Sequence, residues 1–246
     1  MNFIVLVAIW LVPIYTRAQE QRLSQYTHRS WLARDGYFNG GALAIAQTTD
    51  GYIWVGTASG LYRFDGLRFE RWSPPDGKKL PSNVFGALAA ARDGSLWIGL
   101  QEGLAHLIDH KLFIYPDFHD DVAALFEDRS GAIWFTRADD GGVLKTPVCQ
   151  ALSETVRCFD ESDGLATKVC CPESLTQDTE GYLWVTMNGF PLTRVDATAE
   201  TVAQQFWGEG GGGPILTSTG AIWLTNLNNG TISRIDPKLI LATLAE

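Results

Sequence analysis

The chain has 246 residues, 46% hydrophobic and 19% charged, a balance that supports a packed core and excludes a disordered chain. Its net charge is −9, and no basic stripe is visible, which makes nucleic acid and anionic membrane surfaces poor partner candidates. No zinc-binding spacing or Walker-type phosphate loop is present. Glu209-Gly210-Gly211-Gly212-Gly213-Pro214 lacks the Lys-Ser/Thr ending of such a loop and reads as a flexible connection.

Phe3 to Tyr15 is an apolar run broken only by Pro13. It is shorter than the roughly 20 residues a membrane helix needs. Thr16-Arg17-Ala18 and then polar Gln19-Glu20-Gln21 follow. The pattern is that of a secretory signal peptide spanning residues 1–18, although no Lys or Arg precedes the apolar run. The alternatives are a retained anchor or a buried strand. The expected location is periplasmic or otherwise exported, with no membrane span beyond this segment. Tyr26 to Trp31 then reads as an outer strand that pairs with the last repeat.

From residue 42 onward the chain repeats itself. Asp50-Gly51 is followed by Tyr52-Ile53-Trp54-Val55-Gly56, and Asp93-Gly94 by Ser95-Leu96-Trp97-Ile98-Gly99. Ser130-Gly131 leads to Trp134, Glu180-Gly181 to Trp184, and Thr219-Gly220 to Trp223. The tryptophans lie 43, 37, 50 and 39 residues apart, and a period near 40 residues signals a propeller or a solenoid.

One repeat resolves into four short strands. Ala42 to Thr48 is the first, the Asp50-Gly51 turn leads to Tyr52–Thr57, and Ala58-Ser59-Gly60 turns the chain into Leu61–Asp65. After Gly66, Leu67 to Trp72 completes the unit. Four antiparallel strands in about 40 residues make one propeller blade. Ile53 and Val55 face one way, Tyr52, Trp54 and Gly56 the other. Both faces are apolar, so each needs a neighbouring blade. Burying Trp54 there removes about 150–250 Å² from water, on the order of 4–6 kcal/mol before entropy is charged. The fold class is therefore all-β, a propeller of four-stranded blades with about five repeats. They lie near 42–72, 83–115, 122–159, 174–207 and 214–236, within a domain of residues 19–246. Trp31, Trp72 and Phe159 are each followed four residues later by Asp-Gly, marking the passage from one blade to the next.

All four cysteines, Cys149, Cys158, Cys170 and Cys171, fall between Trp134 and Trp184. An oxidising compartment allows disulfides there, with three pairings open. Cys149 with Cys158 would staple two strands. A structural role is expected over a redox or metal site. The histidines are His28, His106, His110 and His119; His106 and His110 straddle a hairpin turn and lack a third ligand. Asp120-Asp121 and Asp139-Asp140 are candidate calcium ligands only as solvated acid pairs. No catalytic, cofactor or metal residue is expected.

The stretch from Trp31 through Asp50-Gly51-Tyr52-Ile53-Trp54-Val55-Gly56-Thr57 to Gly60-Leu61-Tyr62-Arg63-Phe64-Asp65-Gly66 resembles the two-component regulator propeller family. The likeness is close over residues 26–115 and looser to about 236, where Thr136, Thr186 and Thr225 replace the glycine after the tryptophan. The resemblance implies an extracytoplasmic ligand-sensing region of a bacterial hybrid histidine kinase, with a small ligand, of which glycans are one class, as partner. Family members form seven-bladed rings and continue into a membrane helix and a kinase. Five repeats and no kinase motif imply a part of such a sensor, without phosphotransfer activity of its own. Self-association or further blades would then cover its edges. Two alternatives remain open: an enzyme, because Trp223-Leu224-Thr225 and Gly230–Asp236 are similar to streptogramin lyase repeats, and a scaffold presenting loops such as Pro74–Pro81 to a protein partner.

Overall fold

The computed structural model describes residues 29–138, 148–159, 161–163, 172–187, 192–196, 201–206, 215–216, 222–226 and 231–235. The chain divides into two compact units, 1–31 and 32–246. The described part of the first is Arg29–Trp31, where the Arg29 guanidinium lies 5.2 Å from the Trp31 ring centroid. These three residues carry no strand, contrary to the strand expected over Tyr26–Trp31. Tyr26–His28 and the expected signal peptide lie outside the described residues.

The second unit is built of antiparallel sheets. The first blade is β1 (Ala42–Gln47), β2 (Ile53–Thr57), β3 (Gly60–Phe64) and β4 (Phe69–Arg71). The second is β5 (Phe85–Ala90), β6 (Leu96–Leu100), β7 (Gly103–Ile108) and β8 (Lys111–Ile114). The third is β9 (Asp121–Glu127), β10 (Ile133–Ala138), β11 (Val148–Ala151) and β12 (Val156–Phe159). The fourth is β13 (Pro172–Gln177), β14 (Tyr182–Met187), β15 (Leu192–Asp196) and β16 (Thr201–Phe206). Three described strands, β17 (Ile215–Leu216), β18 (Ile222–Asn226) and β19 (Thr231–Ile235), form the fifth sheet. Within every sheet the strands pair in chain order. The first strands β1, β5, β9, β13 and β17 lie next to one another in succession, as the stacked blades of a propeller do. Gly51, Gly94, Gly131 and Gly181 turn the first hairpin of each of the first four blades, with φ between 88° and 99°, a region that glycine enters without a Cβ clash.

Register makes the two faces of each sheet chemically unlike. Ala46, Trp54, Arg63 and Glu70 lie across one face of the first blade. The facing side of the second carries Leu88, Ile98, Ala105 and Ile114. Trp54 and Leu61 pack there with Ile98, Leu100 and Leu112 in one buried cluster. The same arrangement recurs: Trp97 packs with Ile133, Phe135 and Cys149 of the third blade, and Trp134 with Leu183, Val185 and Val195 of the fourth. Each of these three joints thus seats a tryptophan-bearing face on an aliphatic or aromatic one, and this removal of apolar surface from water holds them together.

Two further devices bring the blades close. The pairing skips Leu43, Gly86, Ala123 and Glu173, one residue in the first strand of each of four blades, a bulge that bends the strand. Beside it, a Cβ on Gly99 would lie 2.6 Å from Val122 Cγ1, and one on Gly56 would lie 2.9 Å from the Phe85 carbonyl oxygen. The glycine after the tryptophan is therefore the point of closest blade approach. Thr136, fully buried, occupies that position in the third blade.

Candidate functional site

Trp54, Trp134 and Trp184 are anchored by the residue six positions before them. Trp134 Nε1 donates to Asp128 Oδ2 at 3.0 Å and Trp184 Nε1 to Asp178 Oδ2 at 2.7 Å. Asp128 Oδ1 also accepts the backbone N–H groups of Ser130 and Ala132 and the Ser130 hydroxyl. Asp178 Oδ1 accepts the N–H groups of Glu180 and Tyr182. One buried carboxylate therefore ties the hairpin turn to the core. In the first blade Thr48 takes the place of this aspartate: Trp54 Nε1 donates to Thr48 Oγ1 at 3.0 Å, and the Thr48 hydroxyl donates to Asp50. In the second blade the position is Ala91. Trp97 there stacks on His106, with centroids 4.1 Å apart and planes 13° from parallel. Burial lowers the His106 pKa despite the opposing charge of Asp93, and His106 Nε2 is buried with no hydrogen-bond partner. Burial pushes the Asp93 carboxyl up, but bonds from the Ser95 hydroxyl and amide, aided by His106, leave its pKa below the usual value.

Arginines clasp successive turns. Arg92, at the second blade's turn, donates to the Asp128 carbonyl, to the Arg129 carbonyl at 3.0 Å, and pairs with Glu127 at 3.1 Å. Its backbone N–H donates to Glu127 as well. Arg129, at the third blade's turn, donates from its backbone to Gln177 Oε1 and from its side chain to the Thr179 carbonyl, both at 2.8 Å. Each clasp needs an arginine five residues before one tryptophan and a Glu or Gln seven residues before the next. The joint between the first and second blades has neither: Thr49 and Ala90 stand at those positions.

A cleft of about 270 Å³ opens at that first joint, walled by Trp54, Arg63 and Trp72 on one side and Leu96, Leu107 and His110 on the other. Asp50, Gly94 and Asp109 also border it. Trp54 and Trp72 meet at 75° with centroids 6.0 Å apart, forming an aromatic corner. Arg63 lies 4.3 Å above the Tyr52 ring and 3.4 Å from the Glu70 carboxylate. Asp109 and His110 make the β7–β8 turn with φ of 48° and 60°. Left-handed backbone is uncommon outside glycine, though Asp and His tolerate it better than most residues.

Of the residues singled out from the sequence, Asp50, Gly51, Asp93, Gly94, Gly131 and Gly181 lie at the hairpin turns. Trp54, Trp97, Trp134 and Trp184 are buried. Gly220 lies outside the described residues, and Trp223 is on β18 with its side chain outside them. Cys149 and Cys158 form a disulfide across the β11–β12 pair; Cys170 and Cys171 are not described. Asp120 pairs with Arg137 at 2.6 Å, burial raises the pKa of Asp121, and Asp139-Asp140 is outside the described residues. His119 has no place in the cleft. Within the Pro74–Pro81 loop, Pro75 borders the cleft and Lys78 Nζ donates to the Leu112 carbonyl at 2.7 Å. Among the described residues no three His, Cys, Asp or Glu side chains gather as metal ligands, and no helix is long and apolar enough to cross a membrane.

The buried aspartates and the clasps were missed from sequence, although a signal existed. Asp128 and Asp178 stand six residues before a tryptophan, Arg92 and Arg129 five, and Glu127 and Gln177 seven.

The two-component regulator propeller model matches residues 36–59. This segment is similar to a two-component regulator propeller repeat. The extracellular domain of BT3049 from B. thetaiotaomicron, described as a hybrid two-component system, superposes with a TM-score of 0.61 at 17% identity. The match covers 80% of this chain and 30% of that one. The extracellular domain of BT4673 from the same organism, described as a one-component system, gives 0.62 at 17% identity over 80% and 27%. Virginiamycin B lyase from Staphylococcus aureus gives 0.59 at 15% identity over 80% and 70%. At these identities the likeness establishes the β-propeller fold. The chain spans less than a third of the length of the two sensor domains. No curated protein matches it.

Proposed function

We propose that this chain is the ligand-receiving propeller portion of an extracytoplasmic sensor in a two-component system. The observation that carries the reading is the regulator propeller repeat at residues 36–59, set in a stack of blades like those of extracellular sensor domains. In this role the propeller supplies recognition, and phosphotransfer belongs to other parts of the system. The likeness to the lyase is one of fold, and fold alone assigns no chemistry.

The test is genetic. An in-frame deletion of residues 36–115 should remove the transcriptional response to at least one growth condition that the intact gene supports. Identical transcriptomes across a broad panel of nutrients would end the sensing role. Cell fractionation tests the location: the processed chain should appear outside the cytoplasm, shortened at its N-terminus.

A further inference from the structure

We infer that the unclasped joint between the first and second blades is a binding site for a small organic ammonium ion. The inference rests on the sensing role and gives it a location and a ligand chemistry.

Three observations converge. The first is the opening itself: the joint lacks both the clasping arginine and its acceptor, and a cleft of about 270 Å³ lies there. That is just below the roughly 300–1,000 Å³ of drug-sized sites, so the occupant is small. The second is the aromatic corner of Trp54 and Trp72, with ring planes at 75°. Tryptophan is the strongest aromatic partner of a cation. The third is the charge balance. Arg63, the arginine of the cleft wall, shares Glu70 with Arg68, which also pairs with Asp65, and its guanidinium lies over the Tyr52 ring. Asp50 accepts the Thr48 hydroxyl and the Tyr52 N–H but has no ion pair, and Asp109 has none either among the described residues. Two carboxylates therefore border the cleft without counter-charges. The net charge of −9 adds a field that draws in cations and repels anions. The left-handed Asp109-His110 turn places Asp109 along the cleft lining.

The experiment is a titration of the purified chain with choline, followed by tryptophan fluorescence. Its uncharged carbon isostere, dimethylbutanol, and a neutral disaccharide serve as comparison probes. Choline should give a saturable change that the isostere does not, weakening as salt rises. Trp72→Ala should weaken binding about tenfold, and Asp109→Asn should weaken it and flatten its salt dependence. Thr49→Arg with Ala90→Glu, which installs the missing clasp, should obstruct the cleft while preserving or raising the melting temperature. Thermal melts confirm that each variant is folded. Equal binding of choline and its isostere, binding of the disaccharide alone, or no binding by the folded chain overturns the inference. The sensing role fails separately: choline binding with an unaltered transcriptome in the deletion strain leaves the site standing and removes the role.

Discussion

The first joint and the next two are built from the same repeat yet closed by different means. At the second and third joints an arginine reaches from one hairpin turn to the backbone of the next. At the third, Trp134 is held by a buried carboxylate, as Trp184 is in the following blade. At the first joint Thr49 replaces the arginine, Thr48 replaces the carboxylate, and a cleft appears. The apolar packing is common to all three. The comparison teaches that hydrophobic burial assembles the stack, whereas the polar contacts differ from turn to turn, and the cleft of about 270 Å³ accompanies the turn that lacks a clasp.

The difference is sharpest at the anchors. Asp128→Ala should cost roughly 3–4 kcal/mol, because it leaves the Trp134 N–H and two turn amides without their acceptor in a buried place. Thr48→Ala should cost about 1 kcal/mol, since one neutral acceptor is lost. Urea unfolding of the two variants checks the contrast, and equal losses would break it. Reducing the Cys149–Cys158 disulfide, which faces the second joint, should cost about 2–3 kcal/mol for so short a loop. The Cys149→Ala/Cys158→Ala variant should show the same loss without reductant.

Gly99→Ala should destabilise by about 1–3 kcal/mol, because the added carbon meets Val122 in a packed joint. A smaller effect is expected from the clasps. Arg92→Ala should cost at most about 1 kcal/mol, as its side chain is half exposed. The Thr49→Arg/Ala90→Glu pair should gain a similar amount if the clasp is transferable. The smallest effect concerns pH. The folded-state pKa of His106 lies below its unfolded value, so the unfolded chain binds more protons between the two. Stability from this group should be complete above about pH 6.5 and fall as the pH drops below it. His106→Gln should flatten that part of the stability profile.

The blades were legible in the sequence because tryptophan recurs at one strand position and glycine at one turn position. Burial and backbone sterics leave each position few alternatives. The anchoring aspartates were not legible, because the acid changes place between copies. Asp50 and Asp93 stand four residues before their tryptophans, Asp128 and Asp178 six. The eye follows the Asp-Gly pair and passes over the deeper carboxylate. The clasps join residues 35 and 48 positions apart, so their logic emerges only when two turns are side by side. The cleft was beyond sequence reasoning for the same reason: it is defined by what Thr49 and Ala90 fail to do across a joint.

The unlike faces of each sheet have a consequence for how such a gene can change. A stack in which every blade offers one kind of surface forward and another backward has a direction, like bricks with studs above and sockets below. Duplicating or excising a whole repeat leaves studs meeting sockets, so the number of blades can drift by recombination without redesign of the interior. The clasp partners do not share this freedom. Arg92 and Glu127 are matched only as neighbours, and a reshuffled array would carry mismatched seams. Those seams, rather than the tryptophans, would record the order in which the blades were laid down.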